Sequence, residues 1–501
     1  MATSGEAHRY IVRAEAGSLP DVVRELKAIG GQVGRTLDLI AGGGGPVGCR
    51  IGGRAEPSPR PRRHRRRDPS AANDDGSCTR RRGRQLDVQH RRHHWRTRRL
   101  DDRGITGKGV DIALLDSGVT PVAGLESSDK LVQGPDLSFE SQVPSLRNLD
   151  TFGHGTHMAG IMAGRDAGVD PRVPTIGAQP FMGIAPNARV SLKLADSNGA
   201  TDVSQVIAGI DWVVKHAKDP GYNIRIINLS YGTPSRQSYV LDPLAHAAEQ
   251  AWLRGIVVVA SAGNDGTGTG KLMTPAQDPY VIAVGAADTR GTKNVVDDEI
   301  PAFSTQGDAS RDPDLVAPGR SVQSLRVPGS YIDAAYGAGA GSINERFFRG
   351  SGTSQSAGVV SGAAALLLEQ RPSLRPDQVK TLLTGTAMPL PSADRKAQGN
   401  GLVDVAAATA AATPYGYQSW QRSTGLGTLE GSRGGHNLVL NGVKLAGERD
   451  IMGRAYAVWT DEVDEYEADD AWDTWSKWQY GNWNGAGWTD GARGAVKLLG
   501  G

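Results

Sequence analysis

Three short segments of the chain hold residue types that together could carry out nucleophilic catalysis. Asp116 stands in "ALLDSGV", His154 in "GHGTHMAG" and Ser354 in "GSGTSQSAGVVSGAAALLLEQ". A serine hydroxyl is a poor nucleophile until a neighbouring imidazole takes its proton. That imidazole needs a carboxylate to fix its tautomer and stabilise its cation. Taken singly, an Asp at a strand end is a turn former, a Gly-flanked His marks a tight turn, and Gly-Thr-Ser before a helix is an N-cap. Their order in one chain, Asp then His then Ser, is what joins them.

The elements that must position these residues are legible around them. Apolar runs at 110–116, 188–196, 224–230, 255–263 and 280–286 read as strands buried on both faces. Between them, 201–218 and 241–254 carry apolar residues at helical spacing, such as Val206, Ile210, Val213 and Val214. Alternating strands and helices predict an α/β fold with a mainly parallel sheet covered on both faces, and ligands bind such sheets at the carboxyl ends of strands. Asp116 would emerge at such an end. His154 would open a small-residue helix and Ser354 would head an apolar one, where unpaired backbone N–H groups await a developing oxyanion.

Beyond these three blocks, "GIAPNARV", "INLSYG", "SAGNDG", "YVIAVGA" and "DLVAPG" occur in a fixed order. With them, residues 104–412 resemble a subtilisin-like serine peptidase, whose triad runs in the same order. The resemblance implies a three-layer α/β fold and an endopeptidase with Asp116, His154 and Ser354 as triad. It makes His154, rather than His157, the general base. It also implies Asn264 as the side-chain donor of the oxyanion hole, beside the Ser354 N–H; read alone, Asn264 is an Asn-Asp-Gly turn. An extended peptide substrate would lie between two walls, Ser230, Tyr231 and Gly232 on one side and Ser261, Ala262 and Gly263 on the other, with room for a sizeable apolar side chain. Two departures stand in the serine block, Gln355 and Gly358, where the family usually has Met and Pro. An insertion at 327–348 precedes it. The chemistry requires no cofactor; the family admits structural Ca²⁺, but no loop shows a ligand spacing for it, and "DSNG" (196–199) reads as a turn.

Composition frames the rest. With 501 residues, 38% hydrophobic, and 67 glycines, the chain is globular, and no apolar stretch approaches the length of a membrane span. The net charge of +2 hides an asymmetry, because residues 50–103 hold 18 Arg, no Lys and 7 acids, leaving the remainder acidic. Residues 1–41 read as an inhibitory propeptide-like remnant: a strand at 9–14, a helix from Ser18 to Gly30 and a strand at 32–40. The segment 42–103 then shows no periodicity. One account is a disordered arm that binds nucleic acid through phosphates, although such arms usually mix Lys with Arg. The favoured account is a stretch of GC-rich gene read one base out of frame. Shifting 86–104 by one base, with codons chosen freely, yields a plausible linker and entry helix for "ITGKGVDIALLD". On that account Cys49 and Cys78 are accidental, and the damaged leader leads to poor maturation.

From 413 to 501 the composition shifts again, with seven of the ten tryptophans and eight acids in 461–473. A small β-rich appendage whose tryptophans pack on one another or on the core is the simpler reading. Contact with a cell wall or glycan is the sharper one. Partners are thus peptide or protein substrates, without a membrane span, for a monomer. Export is expected from the resemblance, though the start lacks a signal peptide. The competing class is an inactive or misfolded binding protein on the same scaffold, its Arg-rich arm on nucleic acid.

Overall fold

The computed structural model describes residues 104–453, except 128, 173–179, 268–269, 293, 309, 340 and 441–442, together with three strands nearer the N-terminus. The chain divides into two compact units, 1–84 and 85–501. In the first, β1 (Ile11–Ala14), β2 (Val33–Leu37) and β3 (Val47–Ile51) form an antiparallel sheet in the order β1-β3-β2. The first two fall within the expected strands. The third corrects the reading of 42–103 as a segment without periodicity, for Val47, Cys49 and Ile51 alternate with Gly48 and Arg50, a period of two too short to stand out among Gly and Pro. The helix expected from Ser18 to Gly30 and residues 52–103 lie outside the described residues.

The second unit is built on a six-stranded sheet: β4 (Asp111–Asp116), β5 (Arg189–Lys193), β6 (Ile224–Leu229), β7 (Val257–Ser261), β8 (Ile282–Ala287) and β9 (Leu315–Pro318). Every neighbouring pair is parallel, in the order β5-β4-β6-β7-β8-β9. β7 and β8 are buried at every residue, which is why they read as continuous apolar runs rather than alternating ones. Helices α1 (His154–Ala163), α2 (Val203–His216), α3 (Pro243–Leu253), α4 (Tyr331–Tyr336) and α5 (Thr353–Gln370) follow. α1 packs on α5, α2 on α3, and both pairs on the sheet, giving the three-layer α/β fold. α5 is the spine of its layer, buried from Thr353 to Leu368 and touching β6 through β9. Its small residues permit this closeness, for a Cβ at Gly358 would come within 2.7 Å of Met158 Cε on α1.

The sheet order reverses at β4, whose neighbours are β5 on one side and β6 on the other. A crevice opens at the carboxyl ends of strands where the order switches. Asp116 closes β4 at that edge, Ser230 follows β6, and Asn264 follows β7, so three of the singled-out residues are placed along one rim. "DSNG" is a turn, closed by the Gly199 N–H donating to the Asp196 carbonyl at 2.8 Å.

The insertion forms most of the connection of an antiparallel hairpin, β10 (Val322–Leu325) with β11 (Phe347–Gly350), and carries α4. It docks on the turn before His154. Tyr331 N–H and Ile332 N–H donate to the carbonyls of Thr151 and Phe152 at 2.9 and 3.0 Å, and the Phe152 and Tyr331 rings stack at 5.7 Å.

Residues 414–453 pack on the same unit, so the composition shift at 413 is not a packing boundary. Arg433, with no exposed surface, donates to both oxygens of Asp202 at 2.7 and 3.2 Å and to the carbonyls of Gly447 and Arg449, each at 2.6 Å. Asp202 also caps α2, and Asp242, which caps α3, accepts from Ser432 Oγ at 2.9 Å. Of the seven tryptophans beyond 413, Trp420 is described and exposed; the other six and the acids of 461–473 lie outside the described residues.

Candidate active site

Asp116 and His154 meet as their positions on β4 and α1 require. His154 Nδ1 lies 2.8 and 2.9 Å from the two carboxylate oxygens of Asp116. Asp116 also accepts from the Ser117 N–H at 2.8 Å. The pair is sheltered rather than sealed, with side-chain exposures of 23% for His154 and 6% for Asp116. Burial works against the imidazolium, but the charge and hydrogen bond of Asp116, aided by the charge of Asp150, outweigh it and hold the imidazole above its ordinary value. His157, one turn along α1, is buried.

His154 is the first residue of α1, and its entry geometry is forced by glycine. Gly153 adopts φ 104°, a left-handed conformation, and a Cβ at Gly155 would strike the Gly118 carbonyl oxygen at 2.1 Å. The helix start thus lies against the loop that leaves β4, and this contact brings imidazole to carboxylate. Beside β4, on β5, the register partner of Asp116, Lys193, is wholly buried and donates to Glu140 at 2.9 Å. That bond removes the cost of an unpaired buried charge beside Asp116.

Ser354 is the second residue of α5, 9% exposed, with Gly352 as N-cap. Its N–H belongs to the first turn, where the helix supplies no acceptor. The Ser354 hydroxyl donates to the Ser230 carbonyl at 3.5 Å, a long, weak bond, and is not bonded to His154 in this state. Such a rotor reorients at little cost, and hydrogen bonds of this type commonly tighten only with substrate. Asn264 comes to the same helix start. Its Oδ1 accepts from the Thr353 N–H at 2.9 Å and the Thr353 hydroxyl at 3.1 Å. Because an N–H can only donate, the amide orientation is settled, and Asn264 Nδ2 is left as the donor on an exposed residue.

The two segments expected as substrate walls follow neighbouring strands. Ser230 to Gly232 leave β6, and Ser261 to Gly263 leave β7, with the Gly263 N–H donating to Thr353 Oγ1 at 3.2 Å. Between them lies a residue that the sequence reading passed over. A Cβ at Gly232 would sit 2.7 Å from Met273 Cβ, and one at Gly263 would sit 2.6 Å from Met273 Cγ. The Met273 side chain therefore spans the gap between the walls, which narrows the room expected from their small residues. No local pattern marks Met273; only the pairing of 273–274 with Ala262 and Thr233 brings it there. Thr353, inside a quoted block but not singled out, is what orients Asn264. Gln355, 5% exposed, lines a cavity shared with His154, Phe348 and Ile332. Among the described residues no group of three His, Cys, Asp or Glu is arranged to hold a metal ion.

Comparison with known proteins follows the same blocks. Residues 107–427 match the subtilase family (Peptidase_S8). The serine protease AprX of Bacillus subtilis (strain 168) is 34% identical over 307 residues, which cover 60% of this chain and 66% of that protein. Subtilisin DY of Bacillus licheniformis is 33% identical over 315 residues, covering 62% of this chain and 94% of that one. The chain thus spans just under two thirds of AprX and nearly all of subtilisin DY. Among solved structures, the protease domain of PatA is 25% identical with a TM-score of 0.45, covering 61% of this chain and 96% of that one. A cold adapted subtilisin-like serine proteinase is 26% identical with a TM-score of 0.43, covering 60% and 89%. None of the helices among the described residues is long and apolar enough to cross a membrane. With the family's profile matched over more than half of its length, this chain belongs to the subtilase family.

Proposed function

We propose that the protein is a serine endopeptidase whose catalytic residues are Asp116, His154, Ser354 and Asn264. The observation that carries this reading is the junction at the head of α5. There Asn264 is locked by Thr353 beside Ser354, while His154 is held on Asp116 across the same rim. A peptide laid between 230–232 and 261–263 presents its carbonyl carbon to Ser354 Oγ. As the hydroxyl attacks, its proton passes to His154 Nε2, and the imidazolium is stabilised by Asp116. The oxyanion takes hydrogen bonds from Asn264 Nδ2 and the Ser354 N–H, donors fixed in place before the reaction. His154 then gives its proton to the departing amine, and water repeats the sequence on the acyl-enzyme.

The pocket before the scissile bond selects a small or medium apolar side chain, since Met273 occupies the space between glycine-lined walls. The natural substrates are peptides or proteins, and the setting is export from the cell. A fluorophosphonate probe on purified protein tests the reading. Labelling of the wild type that vanishes in Ser354→Ala is the expected result; labelling that survives in Ser354→Ala would remove Ser354 from the role of nucleophile.

A further inference from the structure

A second carboxylate lies behind the Asp116–His154 pair and has no part in the steps above. Asp150 is 1% exposed. Its Oδ1 accepts from the Gly153 N–H at 2.6 Å and the Ser117 hydroxyl at 2.8 Å, and its Oδ2 accepts from the Thr156 N–H at 2.7 Å. The Ser117 hydroxyl accepts from the Gly155 N–H at 2.9 Å, so its own proton is directed to the carboxylates, 2.8 Å from Asp150 and 3.3 Å from Asp116. One hydroxyl thus bridges two acids. Around it, the Asp150 N–H donates to Thr120 Oγ1 at 3.0 Å, and the Thr120 N–H donates to Thr156 Oγ1 at 2.9 Å. The loop after β4 and the first turn of α1 are sewn together on both sides of His154.

Two features set this apart from an ordinary helix cap. All the partners of the Asp150 carboxylate donate, which suits the ionised form, since a protonated carboxyl would bring a hydrogen needing an acceptor. No Lys or Arg among the described residues pairs with it, and burial pushes its carboxyl above the ordinary carboxylate range against the pull of these hydrogen bonds, so a carboxylate without a counter-cation sits in a desolvated place four residues before the imidazole. The other charged groups near His154 are Asp116 on the end of β4, His157 on α1 itself, and Arg326 with Asp333 on the cavity wall. The last two are paired with each other.

We infer that Asp150 is a positioning residue for His154, holding the imidazole on Asp116 through Ser117 and favouring its protonated state while the tetrahedral intermediate exists. The inference rests on the endopeptidase reading only for its consequence in turnover; the effect on His154 can be read without catalysis. The full chain carrying Ser354→Ala and isotope-labelled histidine is titrated by NMR, with His154 assigned by loss of its signal in His154→Ala. Asp150→Asn keeps the capping carbonyl and removes the charge, and Asp150→Ser removes it with a different cap. In both, the His154 midpoint falls by at least about half a unit, as loss of a nearby buried anion requires. The downfield Nδ1 proton of the bond to Asp116 shifts or broadens as the imidazole loosens on its carboxylate. With Ser354 restored, the acid limb of kcat/KM moves down by the same amount while KM is held. An unmoved titration, an unmoved downfield proton, or failure of both variants to fold overturns the inference and leaves Asp150 a structural cap. Absence of peptidase activity in the wild type would instead defeat the endopeptidase reading and leave the titration to decide this one.

Discussion

The two flanks of Ser354 are built by different physics. On one flank, His154 is held by hydrogen bonds and charge: Asp116, Ser117, Asp150 and the N–H groups of α1 leave it one orientation. On the other, the proposed substrate walls are short stretches of small residues, and the side chain that touches both is one flexible thioether, Met273. The first flank resists change because each buried polar group depends on its partner. The second can be reshaped by altering a volume. On the proposed mechanism, the contrast separates what sets the rate from what sets the choice of substrate.

The largest test of this contrast is Asp116→Asn. It should lower kcat by about 10⁴, as loss of the carboxylate does in a serine peptidase triad, with KM and thermal stability little changed. Steady-state kinetics on a peptide substrate reads it, and a loss under tenfold would mean that His154 does not depend on Asp116. Next is Asn264→Ala. The effect recorded for subtilisin on losing its side-chain oxyanion donor is about 10²–10³ in turnover, and the same is expected here in kcat rather than KM. A change in KM alone would place Asn264 with the binding walls instead. Smaller still, Met273→Gly should leave the best kcat near its original value and shift preference toward large aromatic residues before the scissile bond by about 10- to 200-fold. A substrate panel varied at that one position shows it. An unchanged panel would mean that Met273 lies outside the pocket.

The mildest perturbation is pH. As the proposed base, His154 acts only when neutral, and Asp116 and Asp150 together raise its imidazole above its ordinary value against the opposing effect of burial. Protonation below that midpoint removes the base, so kcat/KM should climb with pH through an apparent value above 6.5 and level off beyond it. A profile rising well below 6.5 would show that burial outweighs the carboxylates.

Much of the rate-setting flank was legible because it is encoded locally. Asp116 is the last residue of an apolar strand, and the helices at His154 and Ser354 start where glycine and small residues announce them. The clamp was less so. Ser117 and Asp150 stand within the same short segments, but that they share a hydrogen bond across 33 positions is not written in either. Met273 carried no signal at all, since a methionine in an irregular stretch has no period to betray its neighbours. The expectation of a separate appendage from 413 rested on composition. Composition could not show that Arg433 would be carried back to Asp202, 231 positions away, and buried there with every donor direction used.

By itself, then, the sequence determined the order of strands and helices, the caps that begin them and the residue types offered at the rim. Each of these depends on neighbours within a few positions, through backbone hydrogen bonding and apolar periodicity. Only the tertiary structure decided which side chains share a hydrogen bond or a gap. Those contacts depend on where β4, β6 and β7 end beside one another and on where 273 and 433 return to meet them, distances that no local pattern encodes.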